Sequence, residues 1–182
     1  MRTLMVCGVL LALAMPARAT VIVPADLGEL SRDARTIVRG RVASLDPQWT
    51  ADRGTIETIV TLEVESYLKG SLGPTLSFRV PGGDLGRFRS IVVGAPEFTL
   101  DEHVVVFLGT QGPSVPFVLG FNQGVFRVVP ASDADGWVVK PLALLPAAPD
   151  ASGRIVRGDP SRRALPLDEF ERRVRTLSRG ER

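Results

Sequence analysis

The chain has 182 residues, with 22 lysines and arginines against 20 aspartates and glutamates. A balance this close leaves no broad field to steer the protein onto nucleic acid or an anionic membrane. The single cysteine, Cys7, and single histidine, His103, exclude every cysteine-based zinc site and leave a side-chain metal centre short of ligands.

The first element in the chain is a targeting segment. Arg2 supplies a basic start, Val6 to Met15 an apolar core of ten residues, and Pro16 a breaker before Ala17-Arg18-Ala19. That order is a signal peptide over 1–19 with cleavage between Ala19 and Thr20. The apolar run is too short for a bilayer, which needs roughly 20 residues, so no transmembrane segment is expected. Removing Arg2 and Arg18 leaves basic and acidic residues equal in number, and removing Cys7 leaves no thiol or disulfide. The expected location is the periplasm or the extracellular space. Twenty of the basic residues are arginine and only Lys69 and Lys140 are lysine, a bias that fits a GC-rich bacterial genome. The remaining chain is long enough for one core that buries roughly 70% of its unfolded surface.

Ala25 to Ala34 predicts a short helix, with Leu27, Leu30 and Ala34 on one face. Thr36 to Val42 predicts a strand in which Gly40 marks a bulge or barrel corner. Ile56 to Leu68 alternates with period two, placing Ile56, Thr58, Val60, Leu62, Val64 and Leu68 opposite Glu57, Thr61, Glu63 and Glu65. Lys69-Gly70 and Gly73-Pro74 form a turn, and Leu76, Phe78 and Val80 complete a hairpin that is polar outside and apolar inside.

A loop from Pro81 to Arg87 follows, then Ile91-Val92-Val93 and Gly94-Ala95-Pro96. His103 to Leu108 is nearly all apolar, as a central strand requires. Val115 to Leu119, Val125 to Val129 and Trp137 to Val139 predict three further strands. The pattern is mainly β: a small closed or partly open antiparallel barrel over 20–145, with short helices at both ends. A Pro/Arg/Gly-rich surface segment spans 146–166, with a short strand expected at Arg154 to Arg157. Over 167–182 a terminal amphipathic helix places Leu167, Phe170, Val174 and Leu177 on one face, acids leading and arginines following, packed on the barrel.

Candidate chemistry is sparse. His103 could anchor a hydrolase site, yet it stands beside Glu102 at the start of an apolar strand, where an exposed strand-edge histidine is ordinary. Pro81-Gly82-Gly83-Asp84-Leu85-Gly86-Arg87 lacks the Gly-Lys-Ser/Thr ending of a phosphate loop and reads as a flexible strand connection or a partner-contacting loop. Arg157-Gly158-Asp159 spells an integrin-binding tripeptide, which arises easily by chance here. No catalytic, cofactor-binding or metal-binding residue is assigned, and no cofactor is expected.

Three phrases carry a resemblance: ARTIVRGRV over Ala34–Val42, VESYLKG over Val64–Gly70 and EHVVVFL over Glu102–Leu108. They are similar to netrin-like domains, the family of the tissue inhibitors of metalloproteinases, over roughly Pro24 to Val139. The wider layout, with Gly94-Ala95-Pro96, Phe121–Phe126 and the terminal helix, resembles a set of uncharacterised exported bacterial proteins. The resemblance implies an OB-fold-related barrel with flanking helices. In the animal inhibitors an N-terminal cysteine reaches the protease zinc; here Thr20-Val21-Ile22 stands in that place without one.

The expectation that follows is an exported, non-enzymatic binding module whose partner is a protein or envelope component. Its narrower form is a partner or inhibitor of a secreted metalloprotease. Thr20, Val21, Gly82, Gly83 and Asp84 are the candidate contacts. The alternatives are a hydrolase assembled around His103, or oligosaccharide or oligonucleotide binding on the barrel face.

Overall fold

A computed structural model describes residues 25–112, 114–131, 136–142 and 164–180. The expected signal peptide, its cleavage point at Ala19 and Thr20, the contact residue Val21, the strand at 154–157 and the tripeptide at 157–159 lie outside the described residues, as does most of the 146–166 segment.

Helix α1 (Leu27–Asp33) starts where Asp26 and Glu29 bond reciprocally: the Glu29 amide donates to Asp26 Oδ1 (2.7 Å) and the Asp26 amide to Glu29 Oε2 (3.0 Å). It stops at Ala34, whose backbone is extended. Among the described residues ten strands follow: β1 (Thr36–Trp49), β2 (Ile56–Lys69), β3 (Thr75–Pro81), β4 (Gly83–Leu85), β5 (Phe88–Ser90), β6 (His103–Gly109), β7 (Phe117–Val118), β8 (Val125–Pro130), β9 (Trp137–Pro141) and β10 (Leu165–Pro166). Helix α2 (Leu167–Ser178) closes the described chain. No helix among the described residues is long and apolar enough to cross a membrane.

The main sheet runs β1-β2-β3-β7-β6-β8-β9-β10, and β1 also pairs with β6. That second pairing bends five strands into a ring, β1-β2-β3-β7-β6, so the fold is mainly β with a partly closed sheet. One feature departs from the all-antiparallel expectation. β3 and β7 are parallel neighbours, joined at Arg79 and Phe117. An odd ring cannot alternate direction throughout, so one parallel contact is a geometric necessity.

The long strands follow the expected periodicity up to Val64. Past it, register shifts against β1 turn Tyr67 toward the ring interior and Leu68, expected on the face of Val60 and Leu62, to the opposite, helix-side core. Along β2 and β3, Val60, Leu62, Leu76, Phe78 and Val80 are buried, whereas Glu63, Glu65 and Ser77 are not. β6 separates two apolar layers. Val104, Val106 and Leu108 join Val38, Val42, Val60, Leu62 and Phe78 inside the ring. Val105 and Phe107 face outward against Ile37, Leu68, Phe126, Phe170 and Val174, under the two helices. Burial on both faces is why this strand has no polar alternation.

β1 runs seven residues past its expected end because its second half pairs with β2 up to Trp49↔Ile56. That half is largely exposed and carries no apolar period. The strand expected at Val115 to Leu119 shortens to Phe117–Val118. The supposed flexible connection at 81–87 is instead an ordered hairpin, β4 against β5, turning at Gly86 and Arg87.

The phrase Leu68-Lys69-Gly70 has a direct physical content. Leu68 enters the helix-side core. Lys69 Nζ donates to the carbonyls of Ser31 (2.9 Å) and Arg32 (2.8 Å), covering the carboxyl end of α1. Partial burial lowers its pKa from the usual lysine range. Gly70, at φ +69°, then turns the chain away from Arg35 and Thr36.

Gly40 sits at a register shift of the β1–β2 ladder, and a Cβ there would meet the Glu63 carbonyl oxygen at 2.5 Å. Since backbone cannot swing aside as a side chain can, Gly40→Ala should destabilise the fold by about 1–3 kcal/mol. Urea unfolding monitored by tryptophan fluorescence checks this, and an unchanged midpoint would show that the bulge is not tightly packed.

Candidate functional site

The best-formed concavity among the described residues is a cleft of about 360 Å³ at one end of the ring. Its floor is made by apolar side chains of the ring, including Leu45, Val60 and Val80, together with Phe98. Phe98 meets Phe78 edge to face at 5.5 Å, which fixes it to the interior. Ala95 to Phe98 form one wall; Gly82 to Asp84 and Arg89 to Val92 form another.

Two glycines fold the second wall over the opening. Gly83, at φ +139°, lies so close to β2 that a Cβ would stand 2.3 Å from Thr58 Oγ1. Gly82, at φ +95°, would place its Cβ 2.9 Å from the Ser90 carbonyl oxygen. The Gly82 amide donates to the Ile56 carbonyl (2.8 Å), and Thr58 Oγ1 donates to the Gly82 carbonyl (2.8 Å). The hairpin is therefore bonded to the ring at its root. The opposite wall is anchored as well: the Asn122 amide donates to the Gly94 carbonyl (3.0 Å) and Arg127 Nη2 to the Glu97 carbonyl (3.1 Å).

Apolar and aromatic side chains follow or precede the lining residues in the chain. Trp49, near the tip of the β1–β2 hairpin, meets Phe88 of β5 at 5.4 Å between ring centroids. The Arg87 guanidinium lies over the Phe88 ring at 5.0 Å. Ile91 and Val93 follow, 75% and 71% exposed. Around them stand Asp84, paired with Arg89 at 3.3 Å, and Glu97, whose carboxylate has no partner among the described residues.

The expected contact residues Gly82, Gly83 and Asp84 thus converge on one cleft, whereas Thr20 and Val21 lie outside the described residues. Trp49, Phe88, Ile91 and Val93 were missed as site residues. The apolar triplet 91–93 is visible in the sequence, but nothing in its pattern tells exposure from burial.

His103 stands elsewhere, on the outer face of the sheet. It is about one-third exposed rather than a free edge residue. Its Nδ1 lies 2.6 Å from Glu65 Oε1 and its ring 5.6 Å from that of Trp137. Glu65 also pairs with Arg39 (3.2 Å), and Arg39 with Glu171 of α2 (3.0 Å). Arg41 bridges Glu63 and Asp101, which raise its pKa above the ordinary arginine value, Glu63 contributing most. The histidine's partner is a carboxylate within a stitched ionic surface, not a serine. Among the described residues no group of three or more His, Cys, Asp or Glu is placed to hold a metal ion.

Comparison with known protein families, with curated proteins and with solved structures gave no match.

The turn that presents Trp49 is held by Asp52, whose Oδ1 accepts from Thr50 Oγ1 (2.6 Å) and from the Gly54 amide (3.1 Å). These bonds lower the Asp52 pKa below its ordinary 3.8, Thr50 contributing most. A lowered carboxylate stabilises the fold above the unfolded value and loses that contribution as pH falls through the folded one. The Gly54 amide resonance should therefore titrate with a midpoint below 3.8, and should not titrate in Asp52→Asn. A wild-type midpoint at or above the ordinary value would contradict this account.

Proposed function

We propose that this chain is an exported binding module without chemistry of its own, and that it engages a protein or envelope component through the cleft at the end of its ring. The observation that carries this reading is the set of exposed apolar side chains on the segments that line the cleft. Ile91 lines the cleft, and Trp49, Phe88 and Val93, each within two residues of a lining position in the chain, are exposed as well. Large apolar side chains exposed singly are normal on protein surfaces, whereas a cluster beside a pocket marks an interaction site. Aromatic side chains and arginines, as at Trp49, Phe88 and Arg87, are the residue types that contribute most to protein interfaces.

Two further observations support the reading. The chain's one histidine is held by Glu65 outside the cleft lining. The cleft walls are bonded to the ring on both sides, so the concavity is preformed and association need not order it first. Export rests on the order of basic, apolar and small residues over 1–19, and a secreted metalloprotease as the partner rests on the netrin-like resemblance.

A photo-crosslinking amino acid placed at Val93 in the native host tests the reading. We expect a discrete crosslinked partner that is absent when the same group replaces Arg172, on the exposed side of α2. Mass spectrometry of the recovered protein should find a mature chain starting at Thr20. Equal or absent crosslinking at the two positions would sink the reading, and failure to inhibit any member of a metalloprotease panel would remove its protease form.

A further inference from the structure

The cleft is bordered by a free strand edge. In the β4–β5 hairpin, Leu85↔Phe88 and Gly83↔Ser90 flank Asp84↔Arg89. Next to a two-residue turn, alternate pairs bond to each other and the pairs between them point their amides and carbonyls outward. Arg89 therefore directs its main chain away from β4, and continuing the alternation one residue past β5 directs that of Ile91 the same way; Val93 lies beyond it, in the turn that the Ala95 amide closes on the Val92 carbonyl (3.0 Å). The main-chain groups of Ile91 and Val93 have no hydrogen-bond partner among the described residues. Arg89, Ser90, Ile91 and Val92 all line the cleft.

Such an edge is usually blunted by lysine, proline, a bulge or a covering loop. Here the exposed apolar side chain is isoleucine, and the adjacent charge, Arg89, is engaged by Asp84. We propose that the edge Arg89–Ile91 receives an extended segment of a partner polypeptide, which adds as a third strand beside β5. The inference rests on the binding reading above and gives the partner its chemistry. Successive side chains of the added strand alternate between the two faces of the hairpin, so the segment has apolar residues at every second position, one of them seated in the cleft that Arg89 to Val92 line. A lysine or arginine near that residue meets the unpartnered Glu97 carboxylate on the cleft wall.

The size of the edge favours a peptide over a second copy of this chain. Three residues span roughly 10 Å of strand. Pairing two such edges covers much less than the roughly 800 Å² per partner of a stable interface. Strand addition of a peptide works at this scale, because main-chain bonds supply affinity and a neighbouring pocket supplies selectivity.

A random 12-residue peptide library displayed on phage and selected on the purified mature protein tests the proposal. Enriched peptides should alternate apolar residues and carry a basic one. Measured by fluorescence anisotropy, their binding should weaken at least tenfold more in Ile91→Pro, which removes an outward amide, than in Ile91→Thr, which loses the same apolar side chain but keeps the amide. Thermal unfolding establishes that both variants fold. On the wild-type protein, a scan of single N-methylated amides along one selected peptide should abolish binding at every second position only. This arm stands even if Ile91→Pro does not fold.

Absence of enriched peptides, equal binding to Ile91→Pro and Ile91→Thr, or N-methyl sensitivity without alternation would each overturn the proposal. So would a wild-type dimer in sedimentation that Ile91→Pro dissolves, which would assign the edge to a second copy. Partition onto phosphatidylglycerol vesicles in place of peptide binding would assign it to a lipid surface. A discrete crosslink at Val93 alongside any of these results would leave the binding reading standing and remove only the strand-addition mode.

Discussion

The fold depends on β1 being hydrogen-bonded along both edges. Over Thr36 to Arg41 it pairs with β6 on one side, and for its whole length with β2 on the other. A flat strand could not serve both without opening the ring. β1 coils instead, through register shifts after Ile37, Arg39 and Val42, each of which bends the strand and increases its twist. Gly40 allows the tightest of these approaches. Ring closure then forces the parallel contact of β3 with β7, which is a single pairing at Arg79. Beyond Arg79 the end of β3 is bonded only to β2, and there the chain leaves the ring, turns through Gly82 and Gly83, and opens the cleft.

The same closure divides the outer surface of the sheet into two territories. Where the helices cover it, Ile37, Leu68, Val105 and Phe107 pack against Phe170 and Val174. Where they do not, Arg39, Arg41, Glu63, Glu65 and His103 form a lattice of paired charges. Glu171 joins the two territories, since it belongs to α2 and pairs with Arg39 of β1. Individual ion pairs at this exposure contribute little, about 0–1 kcal/mol. Their main effect is to keep a wet sheet face polar.

What the sequence discloses follows from how much signal each segment concentrates. β6 is legible because burial on both faces makes it continuously apolar, and β2–β3 because one wet face enforces alternation. Ala43 to Trp49 is illegible because hydrogen bonds to β2, not apolar burial, hold it in the sheet. β4 and β5 are too short to show a period, and their Gly86-Arg87 turn lacks the Asn-Gly signature of a hairpin. Gly82, Gly83 and Asp84 stand out as a possible contact loop by composition. Trp49 and Phe88 do not, because their meeting depends on two hairpins 39 positions apart in the chain folding together. His103 is visible as the single histidine, but its partners arrive from β2 and β9.

The cleft is where local rules and global fold disagree, and that disagreement is informative. Elsewhere among the described residues many β-branched side chains are hidden: Val38, Val42, Val60, Val104, Val105, Val106 and Val174 are all fully buried. At Ile91 and Val93 the same residue type is set in open solvent on a main chain without partners. Folding gains nothing from this arrangement, since a polar residue there would be as well solvated and less prone to aggregation. The hairpin that presents the segment is nevertheless tied to the ring by Thr58 and Ile56, and its Arg89 is neutralised by Asp84. A rigid support beneath an unsatisfied apolar edge is costly for an isolated protein and useful for one that meets a partner, because the geometry is set before the encounter and less entropy is lost in it.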